Sequence, residues 1–334
     1  MSRVEQFLLG GGHSRASLHI GLVNNMPDAA LRATELQFAR LLKAAAGSLD
    51  LRLRLFSLRS IERGEQARSR MAGFYDDAGF LQASNIDALI VTGTRPCAAD
   101  LRDEPYWEEL AHLIDWAEIG TISTLFSCEA ADAAVLHLDG IARRPLAAKL
   151  SGIYDSVRVG DDPLFFNTAP VLPVPHSRRN DIAQADLAAR GYHVLSRLDP
   201  KDENGGQVDI FTREPPGGSR LVFFQGHPEY DPGTLGREYL CDIGRFLRGE
   251  TAERPVLPQQ YFDRATEGRL AEIAGEPGGE TNLAGYQDIV VGALPRQVWR
   301  SNTVRLFGNW LTQVAAVKAR RETSRGAHTR RRAS

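Results

Sequence analysis

TISTLFSCEAADAAVLHL, residues 121–138, changes character at one residue. Through Ser127 it is a short apolar run of strand type, and from Glu129 its alanines, Val135, Leu136 and Leu138 suit a helix. Cys128 stands at the handover, where a sharp strand-to-helix turn would lift its side chain above a sheet in the manner of a nucleophile elbow. A helix N-terminus there favours thiolate over thiol and points backbone N–H groups at a developing oxyanion. Free cysteine is also among the most buried residue types, so position alone leaves a core role open.

The same alternation surrounds this stretch. Leu18 to Asn24, Leu51 to Ser57 and Asp87 to Thr92 read as strands, and Ala29 to Ala46 and Glu104 to Ala117 as helices. Strands alternating with helices imply right-handed crossovers and a mostly parallel sheet flanked by helices, the α/β class. The second half adds strand candidates at 152–159, 171–175, 192–196, 208–212 and 220–224, then helices over 232–247 and 301–319. Residues 265–295, with GEPGGETNLAG, break every period and read as a loop insertion.

FFQGHPEYD, residues 223–231, supplies partners for the thiol. Pro228 biases His227 toward extended backbone, and residues i and i+2 of an extended chain face the same way. The Glu229 carboxylate could then orient the His227 imidazole as the third member of a Cys–His–Glu set. A histidine after a strand is otherwise a satisfied loop residue, and the strand-terminal cysteine is what gives it a task.

Composition sets bounds. The chain has 334 residues, 43% apolar and 25% charged, which is the composition of a soluble globular protein. Apolar stretches far shorter than the ~20 residues that span a bilayer, and residues 1–15 without signal-peptide order, predict a cytoplasmic protein with no membrane partner. Three cysteines, Cys97, Cys128 and Cys241, form neither a disulfide framework nor a CxxC pair, so no metal site is expected. Residues 320–334 hold six arginines and one glutamate, a formal +5 that leaves −7 to the rest of a chain whose total is −2. Without aromatic residues that tail reads as a solvated, disordered end rather than a nucleic-acid contact.

Beyond spacing, VTG (91–93), YWEEL (106–110), STLFSCEA (123–130), KLSGIY (149–154), PHSR (175–178), GHPEYD (226–231) and WRSNTVRLFGNWL (299–311) together resemble the homoserine O-acyltransferases (homoserine O-succinyltransferase, MetA type). The resemblance runs in order from about residue 18 to about 315. It implies a class I glutamine amidotransferase-like (flavodoxin-like) fold, in a single domain over 18–319 with a C-terminal extension, a flexible 1–17 and a basic tail over 320–334.

The activity implied is ping-pong acyl transfer, with succinyl-CoA or acetyl-CoA as co-substrate, no other cofactor, and L-homoserine as acceptor in methionine biosynthesis. Cys128 matches the acylated cysteine, His227 the general base and Glu229 its orienting acid. Lys149 and Ser177 match substrate-contacting positions, and Cys97 the site that selects the acyl donor. A small neutral residue there admits the distal carboxylate of succinyl, where a glutamate would repel it. A homodimer is also implied.

Three departures accompany the resemblance. Glu129 follows the nucleophile where an aromatic residue is common, and its charge works against thiolate formation. Cys241 stands where the family has a substrate-binding arginine, with Arg237 and Arg245 one helical turn to either side as candidate replacements. MPDAALRATE (26–35) replaces a lysine-bearing segment, with Arg32 its only cation. Two other readings remain beside the acyltransferase: a glutamine amidotransferase-like hydrolase, from the Cys–His–Glu set, and a non-catalytic relative, from Glu129 and Cys241.

Overall fold

The structure is a computed structural model of the chain, and it describes residues 7–8, 17–201, 206–275, 282–293, 295 and 297–332. Its strands are β1 (Phe7–Leu8), β2 (Leu18–Val23), β3 (Leu51–Ser57), β4 (Tyr75–Asp77), β5 (Ala88–Thr92), β6 (Ser123–Ser127), β7 (Arg144–Arg158), β8 (Val171–Asp181), β9 (His193–Leu198), β10 (Val208–Arg213) and β11 (Arg220–Phe224). Its helices are α1 (Asp28–Ala45), α2 (Glu65–Met71), α3 (Trp107–Gly120), α4 (Glu129–Asp139), α5 (Gln184–Ala189), α6 (Thr234–Leu247), α7 (Arg264–Gly275), α8 (Leu283–Gly292) and α9 (Arg300–Arg332).

All eleven strands join one sheet in the order β1-β3-β2-β5-β6-β11-β10-β9-β7-β8, with β4 also on β3. From β4 to β11 the pairings are parallel. This is the helix-flanked parallel sheet expected, and β5 is buried along its whole length because helices cover both faces. Beyond β11 the strands turn antiparallel through β10, β9, β7 and β8. There β9–β10 and β10–β11 are joined by loops without a helix, while α5 connects β8 to β9 across β7.

Side chains alternate between two cores. Leu125, Val222 and Phe224 face the layer of α1 and α9, with Phe38, Leu41, Phe307 and Trp310. Phe126, Leu221 and Phe223 face α3 and α4, with Leu110, Ile114 and Val135. Under the Cys128 turn, Phe126, Phe223 and Phe211 stack with centroids 5.4 and 4.6 Å apart. Each such pair adds about 0.5–1.5 kcal/mol beyond its burial and ties β6, β11 and β10 together. A third core, with Ile153, Tyr230, Tyr286 and Trp299, lies beneath α6, α7 and α8.

Two expectations are corrected. Within the 265–295 stretch read as a loop lie most of α7 and all of α8, helices whose Leu270, Ile273, Tyr286, Ile289 and Val290 are buried. Tertiary burial there overrides weak local propensity. The last helix continues to Arg332, because extending an existing helix costs far less than starting one, where composition suggested a disordered tail. Of the residues expected to be flexible before position 18, Phe7–Leu8 pair with β3, and 1–6 and 9–16 lie outside the described residues. Among the described residues no helix is long and apolar enough to cross a membrane.

Candidate active site

Cys128 links β6 to α4 with φ 53° and ψ −116°. A non-glycine residue enters that region at a cost of about 1–3 kcal/mol and stays only where its surroundings hold it. Three hydrogen bonds do so. Its N–H donates to the Phe224 carbonyl at 2.7 Å, and its carbonyl accepts from the N–H groups of Ala131 and Asp132 at 2.8 and 3.3 Å. Among the described residues no side chain caps α4, which leaves its first N–H groups open to a ligand. Gly93 permits the closeness of the neighbouring loop, since a Cβ there would stand 2.5 Å from Glu129 Cβ.

The sheet register delivers the histidine. β6 and β11 are parallel neighbours with Ser127 opposite Phe224, so Cys128 and Gln225 leave the sheet side by side and His227 follows two residues later. His227 N–H donates to the Pro175 carbonyl of β8 at 2.7 Å. The approach of β8 requires glycine at 226, where a Cβ would lie 2.5 Å from Val174 and 2.8 Å from His176. His227 Nδ1 lies 2.8 Å from Glu229 Oε1, and both side chains are nearly buried. A carboxylate only accepts, so Nδ1 carries the proton and Nε2 is left without that bond, with Cys128 close enough to act on the ring electrostatically. Burial alone pushes the imidazole down. The Cys128 charge, then the Glu229 carboxylate and the hydrogen bonds to both, outweigh it and raise His227 well above the usual histidine value.

Sequence reasoning missed the brace behind this pair. The Tyr230 ring stacks on His227 with centroids 4.3 Å apart, and its hydroxyl donates to Glu238 of α6. The Tyr230 carbonyl accepts from Gln297 Nε2 at 2.9 Å and Trp299 Nε1 at 3.0 Å. The tryptophan that opens WRSNTVRLFGNWL therefore holds the histidine loop. The tyrosine was in view within GHPEYD, but its partners lie on other elements.

Glu129 is not a bare charge beside the thiol. Burial first, and then the Asp132 carboxylate, push its carboxyl up to about 8, against the pull of Arg143. Arg143 is the counter-ion, pairing with Glu129 and donating also to the carbonyls of Ala98 and Ala99 at 3.3 and 3.1 Å. No periodicity marked this arginine. Its contacts tie the start of α4 to the loop carrying Cys97. That cysteine is exposed, and its N–H, like that of Ala98, donates to the buried Glu104 carboxylate.

The substrate-binding candidates separate. Lys149, on β7, pairs with Asp242 of α6 at 2.6 Å, both side chains about one-fifth exposed. Ser177, on β8, lies opposite Ser151 of β7 and shares a strand face with Pro175, the residue that holds His227. Arg237 is exposed and donates to Thr234 Oγ1 at 2.9 Å, and Arg245 faces Glu250 at 3.4 Å. Neither is drawn to the Lys149–Asp242 pair. Cys241 is exposed. Arg32 is exposed on α1. The cation that meets the 24–28 segment is instead Arg63, donating to the carbonyls of Asn24 and Met26. A thiol, an imidazole held by a carboxylate and uncapped helix amides can together form and break an acyl thioester.

The family model for homoserine O-succinyltransferase matches residues 12–320. A homoserine O-succinyltransferase of Bradyrhizobium japonicum is 51% identical over 319 residues, covering 91% of this chain and 94% of that protein. One of Rhodopseudomonas palustris is 48% identical over 307 residues, covering 90% and 89%. Among solved structures, a glutamine amidotransferase of Methylobacillus flagellatus is similar at 12% identity with a TM-score of 0.48, covering 90% of this chain and 96% of that one. On the match to its family model and on these relatives, the chain belongs to the homoserine O-succinyltransferase family.

Proposed function

We propose that the chain transfers a succinyl group from succinyl-CoA to the hydroxyl of L-homoserine through a thioester at Cys128, in the cytoplasm, as a step of methionine biosynthesis. The observation that carries this reading is the Cys128 turn, a strained backbone holding a thiol against a histidine already oriented by Glu229. In the first half-reaction His227 takes the thiol proton, the sulfur attacks the thioester carbonyl, and the N-terminal amides of α4 stabilise the oxyanion. The bond from carbonyl carbon to CoA sulfur breaks, and His227 returns the proton to the departing sulfur. In the second half-reaction His227 takes the homoserine hydroxyl proton, the oxygen attacks the enzyme thioester, and Cys128 leaves with that proton. Two easier steps replace one difficult transfer, and the thioester keeps the activation of the donor.

Lys149 and Asp242 support an amino-acid acceptor, because one presents a cation to a carboxylate and the other an anion to an ammonium. A small neutral residue at Cys97 supports the succinyl donor. The test is steady-state kinetics with both substrates varied. Parallel double-reciprocal lines with O-succinylhomoserine as product are expected. A faster reaction with acetyl-CoA would replace the donor, and glutaminase activity without acyl transfer would replace the reaction.

A further inference from the structure

The thiol and its base sit on different elements, and a buried hydrogen bond runs between those elements just behind them. Asp132 lies in the first turn of α4, one turn after Cys128, and Gln225 is the residue after β11, two before His227. Gln225 Nε2 donates to Asp132 Oδ1 at 2.8 Å, and the two residues are 1% and 4% exposed. The orientation of the Gln225 amide is fixed from its other end, where Arg178 Nη1 lies 3.4 Å from Gln225 Oε1. Arg178 is itself anchored on β8 by the Asn180 carbonyl and Asp181. On the backbone side, Gln225 N–H donates to the Asp209 carbonyl of β10 at 2.8 Å. The glutamine therefore bridges the nucleophile helix, β8 and β10 from a position adjacent to the general base.

We propose that Gln225 is a positioning residue, its amide bond to Asp132 locking the helix that carries Cys128 to the loop that carries His227. This rests on the Cys128–His227 reading above. The backbone bond from Cys128 to Phe224 joins the two elements at the strand ends. The Gln225–Asp132 bond adds a second tie one turn into the helix, on the side of the His227 loop. Misplacement of reacting groups by about 1 Å costs about 100-fold in rate.

The test compares Gln225→Met, which keeps size and loses the donor, with Asp132→Asn, which keeps the accepting oxygen, and Asp132→Ala, which removes it. Circular dichroism and urea unfolding identify the folded fraction. The rate of succinyl-thioester formation, measured by rapid quench over a range of succinyl-CoA, separates the saturating rate from the half-saturating concentration. Gln225→Met and Asp132→Ala are expected to lower the saturating rate about 10- to 100-fold with half-saturation unchanged, and Asp132→Asn to stay near wild type. A wild-type rate in Gln225→Met, or a loss in Asp132→Asn equal to that in Asp132→Ala, overturns the proposal. Wild-type protein that forms no thioester overturns the acyl-transfer reading instead. The positioning claim is then decided by iodoacetamide alkylation read on the Cys128 peptide, since Cys97 and Cys241 are exposed and also react. A slower reaction in Gln225→Met supports it, and an equal one overturns it.

Discussion

His227 Nδ1 and Glu229 Oε1 stand 2.8 Å apart across a single intervening proline. The backbone is not extended there as the sequence suggested: Pro228 and Glu229 form a turn closed by Tyr230 N–H donating to the His227 carbonyl at 3.1 Å, which brings the carboxylate back to the imidazole, and the carboxylate fixes which ring nitrogen carries the proton. The base is thus oriented by its own loop, and the loop by Trp299 and Gln297 through the Tyr230 carbonyl.

His227→Asn is expected to lower kcat/KM by roughly 10² to 10⁴-fold, the usual worth of general base catalysis. Glu229→Gln, which leaves the imidazole in place, should lose less. Equal activity of Glu229→Gln and wild type in steady-state assays would remove the orienting role from Glu229.

The titration of His227 depends on Cys128. Its folded-state pKa is raised above the unfolded value, so the stability it contributes is fully present below the ordinary histidine pKa and is lost as pH rises through the folded one. Cys128→Ala deletes the largest raising influence while burial still pushes down. The His227 titration followed by NMR should therefore move to lower pH in that variant, and an unmoved curve would place the thiol out of contact.

Glu129 should show a dependence of the same sign. Its carboxyl is raised to about 8, chiefly by burial and next by Asp132, so between the ordinary carboxyl range and about pH 8 the folded form binds the extra proton. Stability then falls as pH rises through that window. Urea unfolding of Glu129→Gln across pH 5–8 is expected to give a flatter dependence than wild type, and identical slopes would contradict the assignment.

At the acceptor end, Lys149→Ala should raise the homoserine KM about 10- to 100-fold if a charge-assisted bond worth ~1.5–3 kcal/mol is lost. Arg237→Ala and Arg245→Ala should change it less, since Thr234 and Glu250 already engage those side chains. A larger effect from either arginine would move the carboxylate contact to that residue.

β3 lies where its alternation of leucine and arginine predicted and β11 where a continuous apolar run did, because a strand half-buried on one face alternates and one buried on both writes itself as continuous hydrophobicity. α2 was illegible, since it buries only Ala67. α8 has glycine at both ends of its apolar run and becomes a helix by burying Tyr286, Ile289 and Val290. In the site, Cys128, His227 and Glu229 could be read because each follows a strand or is separated from its partner by one residue. Arg143, Asp242 and the Gln225–Asp132 bond could not, because their partners lie on other elements and only folding brings them together.

The central claim is that Cys128 carries the acyl group. The most direct measurement is the mass of the protein and of its Cys128 peptide after brief mixing with succinyl-CoA in the absence of homoserine. One succinyl group on Cys128, lost as O-succinylhomoserine when homoserine is added and absent in a folded Cys128→Ala variant, is the predicted result. Turnover with no adduct on Cys128, or a Cys128→Ala variant that still makes product at the wild-type rate, would contradict it.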